Sequence, residues 1–330
     1  MTPEINIFAG SAGKPFADRM CACLGVKPGN TSVLHFSEGN TYVKIGDHVR
    51  NKEVYLVQPI GLKANDEFVE LLFWMDAFKR SGAGYVTAII PYFSYAKGDK
   101  KDEPRVSIRA RVCAECIELA GADRVITMDL HTPQIQGFFK KPVDHIYARP
   151  LMAEYLKSIV SADSVVVAPD AGFAKNARKF AAHLGLPVAI GDKVRHGHDE
   201  KAELLELIGD VSGKDAIIID DFSISGGTIV SLAGLLRKRG AKKIIACLSH
   251  LPINASGVDA INRSEVELVI STDSVENTRI AGSKKFKILS VAPIFAEAVK
   301  RMQSRESISD LFESVSPKVL ENAVKLGGGR

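Results

Sequence analysis

The sequence feature with the clearest chemical meaning is a pair of aspartates at the end of an apolar run. Asp220 and Asp221 follow Ala216–Ile219. Most of the next seven residues are small or carry hydroxyl groups: Ser223, Ser225, Gly226, Gly227 and Thr228. Backbone N–H groups at a glycine-rich helix start bind phosphate, and neighbouring hydroxyls add hydrogen-bond donors. Since the two carboxylates suit ribose hydroxyls or a magnesium ion, the segment predicts a site for a phosphate with one of these beside it.

Two further apolar runs, 124–128 and 164–168, end in residues that can bind a cation. The side chains at the three ends are carboxylates and one imidazole: Asp129, His131, Asp170, Asp220 and Asp221. Ligands bind at the carboxyl ends of the strands in open α/β sheets, so these residues form a candidate site for a hard cation. A single histidine is more commonly structural than a metal ligand. His131 is a candidate ligand only because the carboxylates are expected near it. Oxygen ligands favour magnesium in a metal–nucleotide complex over a structural zinc.

Basic residues are gathered in two places. Lys193 and Arg195 follow the predicted strand 187–190, and residues two apart in an extended chain project to the same side. Such a pair can clamp charge on a transferring phosphoryl group, although alone it is usually a solvated surface. The segment 95–111 holds six basic residues against three acids, which predicts a basic loop that leads into a helix. The chain has neither a Walker A motif nor a GxGxxG after its first strand, so nucleotide binding needs another arrangement.

The elements that position these residues alternate between short apolar strands and amphipathic helices, which predicts an α/β fold with parallel sheets flanked by helices. Predicted strands are 5–9, 32–36, 42–45, 54–58, 85–91, 124–128, 164–168, 187–190, 216–219, 243–248, 267–271 and 287–289. Predicted helices are 65–81, 106–120, 173–184, 227–239 and 292–303. Two such series meet near 147–150, so we expect two similar domains, 1–148 and 149–330.

Composition narrows the class of protein. The chain has 330 residues, of which 46% are hydrophobic and 25% are charged, and its net charge is +4. These values are typical of a globular protein, and the charge is too small to predict binding to nucleic acid or membrane. Five cysteines with no visible export signal favour a reducing cytoplasm. Cys113 and Cys116 have the spacing of a metal site but lie in a helical stretch without partner ligands, so we expect helix-face thiols.

One stretch of the sequence identifies a family. AGADRVITMDLH at 120–131, followed by QIQGFF at 134–139, closely resembles the signature of ribose-phosphate pyrophosphokinase (phosphoribosyl pyrophosphate synthetase). The similarity extends over nearly the whole chain, from 8–10 to 290–293 and 307–312. The resemblance implies two phosphoribosyltransferase-like domains and a homo-oligomer, commonly a hexamer. It also implies magnesium-dependent transfer of the diphosphoryl group of ATP to C1 of ribose 5-phosphate.

The resemblance also implies roles for individual residues. Lys193 and Arg195 match the family's catalytic basic pair, and His131 and Asp170 match its magnesium-associated residues. Arg195 also falls in the ribose 5-phosphate site, together with Asp220, Asp221, Ser225, Gly226, Gly227 and Thr228. The ATP-binding positions are Phe36, Glu38, Asn40, Lys97, Gly98, Asp99, Lys101 and His131.

Several positions depart from the family pattern. Glu38-Gly39-Asn40 stands where the family has Asp-Gly-Glu. Lys97-Gly98 stands where it has Arg-Gln, and lysine lacks the planar fork of arginine. Arg109 stands where the family has serine or threonine, and Arg111 where it has lysine. Other departures are Phe173, Asn176 and Ile224. They put nucleotide preference, affinity and regulation in question, but leave the basic pair and the metal-associated residues unchanged.

Three alternatives to an active synthetase follow from the sequence. The departures favour a non-catalytic regulatory relative within a synthetase oligomer, whereas the intact basic pair opposes it. A phosphoribosyltransferase would explain Asp220–Thr228 but not the 131–139 motif or a second α/β domain. A nucleic-acid binder is a poor fit because few aromatic residues accompany the basic loop.

Overall fold

The computed structural model describes residues 4–195 and 203–328, with side chains described except at 192–195 and 203–205. The chain divides into two compact units. The first contains the chain up to Tyr147 with Ser274–Glu276 and Val291–Glu313. The second contains Ala148–Asp273, Asn277–Ser290 and the chain from Ser314 onward. The polypeptide therefore returns to the first unit twice before it ends in the second.

The elements within the described ranges follow one another in this order. The strands are β1 (Asn6–Ala9), β2 (Thr31–His35), β3 (Thr41–Ile45), β4 (Glu53–Val57), β5 (Tyr85–Ile90), β6 (Arg124–Met128), β7 (Val143–Ile146), β8 (Ser164–Ala168), β9 (Val188–Arg195), β10 (Glu203–Ile208), β11 (Asp215–Phe222), β12 (Ile244–His250), β13 (Leu268–Thr272) and β14 (Phe286–Leu289). The α-helices are α1 (Lys14–Leu24), α2 (Ala64–Arg80), α3 (Arg109–Leu119), α4 (Arg149–Lys157), α5 (Ala174–Leu184), α6 (Gly227–Lys238), α7 (Ala255–Arg263), α8 (Ala292–Gln303) and α9 (Pro317–Leu326).

The first unit is built on a parallel sheet in the order β1-β4-β5-β6-β7. Buried residues on the strands and on α2, including Phe8, Leu56, Trp74 and Phe78, form its core. Helix α8, although late in the sequence, belongs to this unit because its Phe295 packs edge-on against Phe16 of α1, with ring centroids 5.3 Å apart. Strands β2 and β3 form a separate antiparallel hairpin.

The second unit has a sheet in the order β10-β9-β8-β11-β12-β13-β14. All neighbours are parallel except β9 and β10, which pair antiparallel at the edge. Strand β8 is buried along its whole length, as expected for a strand covered on both faces. Leu232 and Leu236 of α6 and Val258 and Ile261 of α7 contribute to its core.

The predicted fold class, α/β with mainly parallel sheets flanked by helices, is confirmed. Arg124–Met128, Ser164–Ala168 and Ala292–Gln303 have the predicted bounds, and all but one of the other predicted elements agree to within about three residues. The exception is β9, which continues past the predicted end at 190 and therefore includes Lys193 and Arg195. The predicted strands 32–36 and 42–45 form the separate antiparallel hairpin, whereas strands β7 and β10 and helices α1, α4, α7 and α9 are additional to the predicted elements. Across the described residues, none of the helices combines the length and the apolar character needed to cross a bilayer.

Candidate active site

In the second unit, the loop between β11 and α6 carries the predicted sugar-phosphate residues. The Ser223 hydroxyl accepts a hydrogen bond from the N–H of Gly226 at 3.1 Å, and the Ser225 hydroxyl accepts one from the N–H of Gly227 at 3.4 Å. Gly226 has φ +73°, and a β-carbon there would lie 3.3 Å from the carbonyl oxygen of Gly257. Glycine is therefore required at this turn, which brings the backbone into the first turn of α6. A glycine-rich turn at the start of a twelve-residue helix has the geometry used to bind phosphate.

Three carboxylates lie in one electrostatic environment beside this loop. Burial and the neighbouring Asp221 raise the pKa of Asp220 to about 8, and Asp170 adds to this effect. The Asp170 carboxylate itself accepts a hydrogen bond from the N–H of Phe173 at 3.0 Å, which caps a short helical turn. Because these acids repel one another, the region favours a cation or a hydroxyl-rich ligand.

The predicted catalytic pair lies on the edge hairpin of the second sheet. The backbone of Lys193 pairs with Leu205, and that of Arg195 pairs with Glu203. The side chains of Lys193 and Arg195, and the chain from 196 to 202, lie outside the described residues. Their roles therefore stay predictions from the sequence.

In the first unit, the segment after β6 carries His131, which is exposed. Asp129 has φ +37°, an uncommon backbone conformation for a non-glycine residue, at the point where the strand ends. The N–H of Leu130 donates to Nε2 of His145 at 2.9 Å, and the hydroxyl of Thr132 donates to Asp99 at 2.8 Å. The end of β6 is thus tied to the start of the predicted ATP loop.

The base of the predicted ATP loop is closed by backbone hydrogen bonds. The N–H of Gly98 donates to Tyr95 at 2.9 Å, and the Gly98 carbonyl accepts from the N–H of Ala110 at 3.1 Å. Lys97 ends a short 3-10 turn, whereas Lys101 lies in the exposed stretch beyond Gly98. The loop therefore begins after Gly98 and ends at the start of α3, and the bond between Gly98 and Ala110 joins its two ends.

The predicted adenine-contacting residues Phe36, Glu38 and Asn40 lie at the turn of the β2–β3 hairpin. The N–H of Phe36 donates to the carbonyl of Asn40 at 2.8 Å, and Gly39 has φ +89°. Phe36 is 46% exposed. Phe36, Glu38 and Asn40 are thus presented on the surface by a tight turn.

A cavity of about 670 Å³ in the first unit borders this hairpin and contains residues that sequence reasoning missed. Among its lining residues are Ser11, His35, Gly39, Lys63, Glu67 and Glu70. The carboxylate of Glu70, 1% exposed, accepts hydrogen bonds from the Ser11 N–H at 2.8 Å, the Ser11 hydroxyl and the Trp74 indole N–H at 2.9 Å. Glu67 accepts from the N–H groups of Gly61 and Lys63, while its burial raises its pKa. These glutamates fix the loops around the cavity, and their i, i+3 spacing on α2 is the only signal for them in the sequence.

The part of the chain that the structure describes contains no group of three or more His, Cys, Asp or Glu side chains that could hold a metal ion. His131 belongs to the first unit, and Asp170 with Asp220 and Asp221 to the second. Cys113 and Cys116 lie on α3, as expected for helix-face thiols, and burial raises the pKa of Cys113 to about 12.

Comparison with known proteins gives one consistent answer. The N-terminal domain of ribose phosphate pyrophosphokinase matches residues 5–121, and the phosphoribosyl synthetase-associated domain matches residues 196–313. A curated ribose-phosphate pyrophosphokinase of Helicobacter hepaticus is 42% identical over 307 residues, which cover 93% of this chain and 98% of that protein. One of Clostridium acetobutylicum is 41% identical over 315 residues, covering 94% of this chain and 98% of that protein.

A solved structure agrees with these relatives. The crystal structure of phosphoribosylpyrophosphate synthetase from Mycobacterium smegmatis superimposes with a TM-score of 0.85 at 34% identity, covering 92% of this chain and 99% of that one. The resemblance noted in the 120–139 stretch is therefore confirmed along nearly the entire sequence. On this evidence, the chain belongs to the ribose-phosphate pyrophosphokinase family.

Proposed function

We propose that this chain is an active, magnesium-dependent ribose-phosphate diphosphokinase. It transfers the diphosphoryl group of ATP to the C1 hydroxyl of ribose 5-phosphate and releases AMP and phosphoribosyl pyrophosphate. The observation that carries the proposal is the presence, in one chain of the family, of the Asp220–Thr228 loop together with the 131–139 segment. A phosphoribosyltransferase would need only the first of these.

The ribose 5-phosphate site is the β11–α6 loop. Backbone N–H groups and the hydroxyls of Ser225 and Thr228 bind the 5-phosphate, with Gly226 and Gly227 allowing its close approach. Asp220 and Asp221 bind the ribose hydroxyls. In support, the turn places Gly226 in the left-handed conformation directly before α6.

Asp170, in the second unit, and His131, in the first, are the residues that would hold magnesium, as the family resemblance implies. The carboxylates fit a hard divalent cation, since a positive charge would offset both the burial and the repulsion that raise the pKa of Asp220. When bound, the ion neutralises the phosphates and fixes their orientation for an in-line displacement. The chain's own part is to position the C1 hydroxyl and the triphosphate for attack at the β-phosphorus.

ATP binds through the hairpin residues Phe36, Glu38 and Asn40 and through His131 and the loop residues Lys97, Gly98, Asp99 and Lys101. The loop closes over the triphosphate and excludes water. Lys193 and Arg195 then stabilise the negative charge that develops as the bond to the α-phosphate breaks, and Arg195 also contacts the sugar phosphate.

The proposal also covers the domains of the enzyme, its compartment and its oligomeric state. Residues 1–148 and 149–330 are its two phosphoribosyltransferase-like domains, with 291–313 packed into the first. It works in the cytoplasm as a homo-oligomer, hexameric as the family resemblance implies. The five cysteines are free thiols, which suits a reducing compartment.

Release of AMP from ATP and ribose 5-phosphate tests the proposal directly. The purified chain is assayed with several nucleoside triphosphates, with magnesium or EDTA, and with and without inorganic phosphate. Lys193→Ala should lower turnover by about two to four orders of magnitude. The control is Lys157→Ala, which removes an exposed ion pair with Glu154 and should leave turnover unchanged.

Two results would contradict the proposal. A wild-type chain that makes no AMP would favour a non-catalytic regulatory relative, which the altered residues at 38–40 and 97–98 make a specific alternative. Formation of a nucleotide from phosphoribosyl pyrophosphate and a free base would instead identify a phosphoribosyltransferase.

A further inference from the structure

Gly98, at the base of the ATP loop, lies directly under the side chain of Arg109. A β-carbon on Gly98 would lie 2.6 Å from Nε, 2.9 Å from Cβ and 3.3 Å from Cζ of Arg109. The backbone φ of Gly98 is −94°, so the absence of a side chain serves space and not conformation. The guanidinium therefore occupies the volume that a side chain at position 98 would fill.

The Arg109 guanidinium and that of its neighbour Arg111 have different surroundings. Within the described residues that of Arg109 makes neither a hydrogen bond nor an ion pair. Burial raises the pKa of Tyr95, and the charge of Arg109 acts against that rise, so the two side chains are neighbours. Arg111, two residues further on, is paired with Glu115 at 2.7 Å. The two arginines share one exposed helix start, and Arg109 lies against Gly98 at the base of the ATP loop.

The location of Arg109 is electrostatically unfavourable in the protein alone. It is the first residue of α3, whose first turn contains no acidic residue. A cation at a helix N-terminus is repelled by the helix dipole. The carboxylate of Asp99, which follows Gly98 in the sequence, accepts a hydrogen bond from Thr132. A bound polyanion would remove this repulsion and give the guanidinium its partner.

We propose that Arg109 is a phosphate-binding residue of the ATP site, contacting the β- and γ-phosphates beside Lys97. The inference rests on the proposed function, because it is the ATP loop that places a triphosphate next to Gly98. Lys97 provides a point charge, whereas Arg109 provides the planar fork suited to two phosphate oxygens. Gly98 and Arg109 thus act as a pair, in which loss of one side chain makes room for the other.

The test uses variants that separate charge from packing. Arg109→Met retains most of the side-chain volume over Gly98 but removes the charge, and Arg109→Lys restores the charge without the fork. Arg111→Met, in the same helical turn, is the matched control. Affinity is measured by calorimetry with magnesium and ATP and, separately, with AMP, which lacks the β- and γ-phosphates.

For a phosphate-binding residue, Arg109→Met should weaken ATP binding and raise KM for ATP about tenfold while leaving AMP binding and KM for ribose 5-phosphate within about twofold. Arg109→Lys should recover part of the loss, and Arg111→Met should resemble the wild type. Wild-type ATP binding by Arg109→Met, or equal loss of ATP and AMP binding, would overturn the inference and leave a packing role. Absence of AMP release by the wild type would instead contradict the proposed function, while the binding comparison would still decide the role of Arg109.

Discussion

The hydroxyl of Thr132 donates a hydrogen bond to the carboxylate of Asp99 at 2.8 Å, and this contact joins two segments that are 33 residues apart. One segment follows β6 and carries His131, and the other begins the basic loop after Lys97. Both are partly buried at the contact. The proposed ATP loop is therefore anchored at its first acidic residue to the segment that carries the proposed metal ligand.

Removal of this anchor should weaken the nucleotide site without unfolding the protein. In Thr132→Val, Asp99 loses its donor and the start of the loop is less well ordered, so KM for ATP should rise about three- to tenfold. Thr132→Ser keeps the hydroxyl and should stay within about twofold of the wild type. Steady-state kinetics with each substrate varied in turn checks this, and an equal effect on KM for ribose 5-phosphate would contradict it.

The secondary structure was predictable wherever the apolar pattern alone determined it. Ser164–Ala168 and Ala216–Ile219 are buried runs that end at aspartates, and the structure makes both of them sheet strands. Strand β7 gives no such signal because Asp144 and His145 interrupt it. The structure satisfies them from elsewhere in the chain: Asp144 pairs with Arg124 at 3.0 Å, and His145 accepts the N–H of Leu130.

The same distinction applies to the candidate site. Residue types at strand ends indicated Asp170 and Asp220, because the chemistry and the position are both visible locally. The contact of Thr132 with Asp99 and that of Arg109 with Gly98 depend on how separate segments come together, which no local pattern encodes. The membership of α8 in the first unit is likewise a matter of tertiary packing, through Phe16 and Phe295.

Two glycines offer a paired test of packing. At Gly13, a β-carbon would lie 1.9 Å from the carbonyl oxygen of Val57, so Gly13→Ala must displace backbone and should lower the free energy of unfolding by about 2–4 kcal/mol. Gly234 lies within α6 with open space around it, so Gly234→Ala should raise that free energy by about 0.5–1 kcal/mol. Chemical denaturation measures both, and changes of the same sign would contradict the packing argument.

Glu70 should be essential to the loop between β1 and α1. Its carboxylate is buried and accepts three hydrogen bonds from Ser11 and Trp74, so Glu70→Ala leaves those donors without an acceptor. The expected loss is about 2–4 kcal/mol in the free energy of unfolding. Glu70→Gln keeps the volume and one acceptor oxygen and should lose less. Trp74 is the single tryptophan, so quenching of its fluorescence reports whether the loop opens. An unchanged denaturation midpoint in Glu70→Ala would contradict this role.

Asp220 should make the stability of the protein depend on pH. Its pKa is about 8 in the folded chain, against 3.8 for an ordinary aspartate, because it is buried next to Asp221. Between these two values the folded state binds a proton that the unfolded state does not, so the stability from this group is complete below pH 3.8 and is lost as the pH rises to 8. In Asp220→Asn this loss is absent, so the difference in unfolding free energy between variant and wild type should rise by about 3–4 kcal/mol from pH 5 to pH 8. Denaturation curves at several pH values measure it, and parallel pH profiles for the two proteins would rule out the raised pKa. The same substitution should reduce synthesis of phosphoribosyl pyrophosphate, because it removes the carboxylate proposed to bind the ribose.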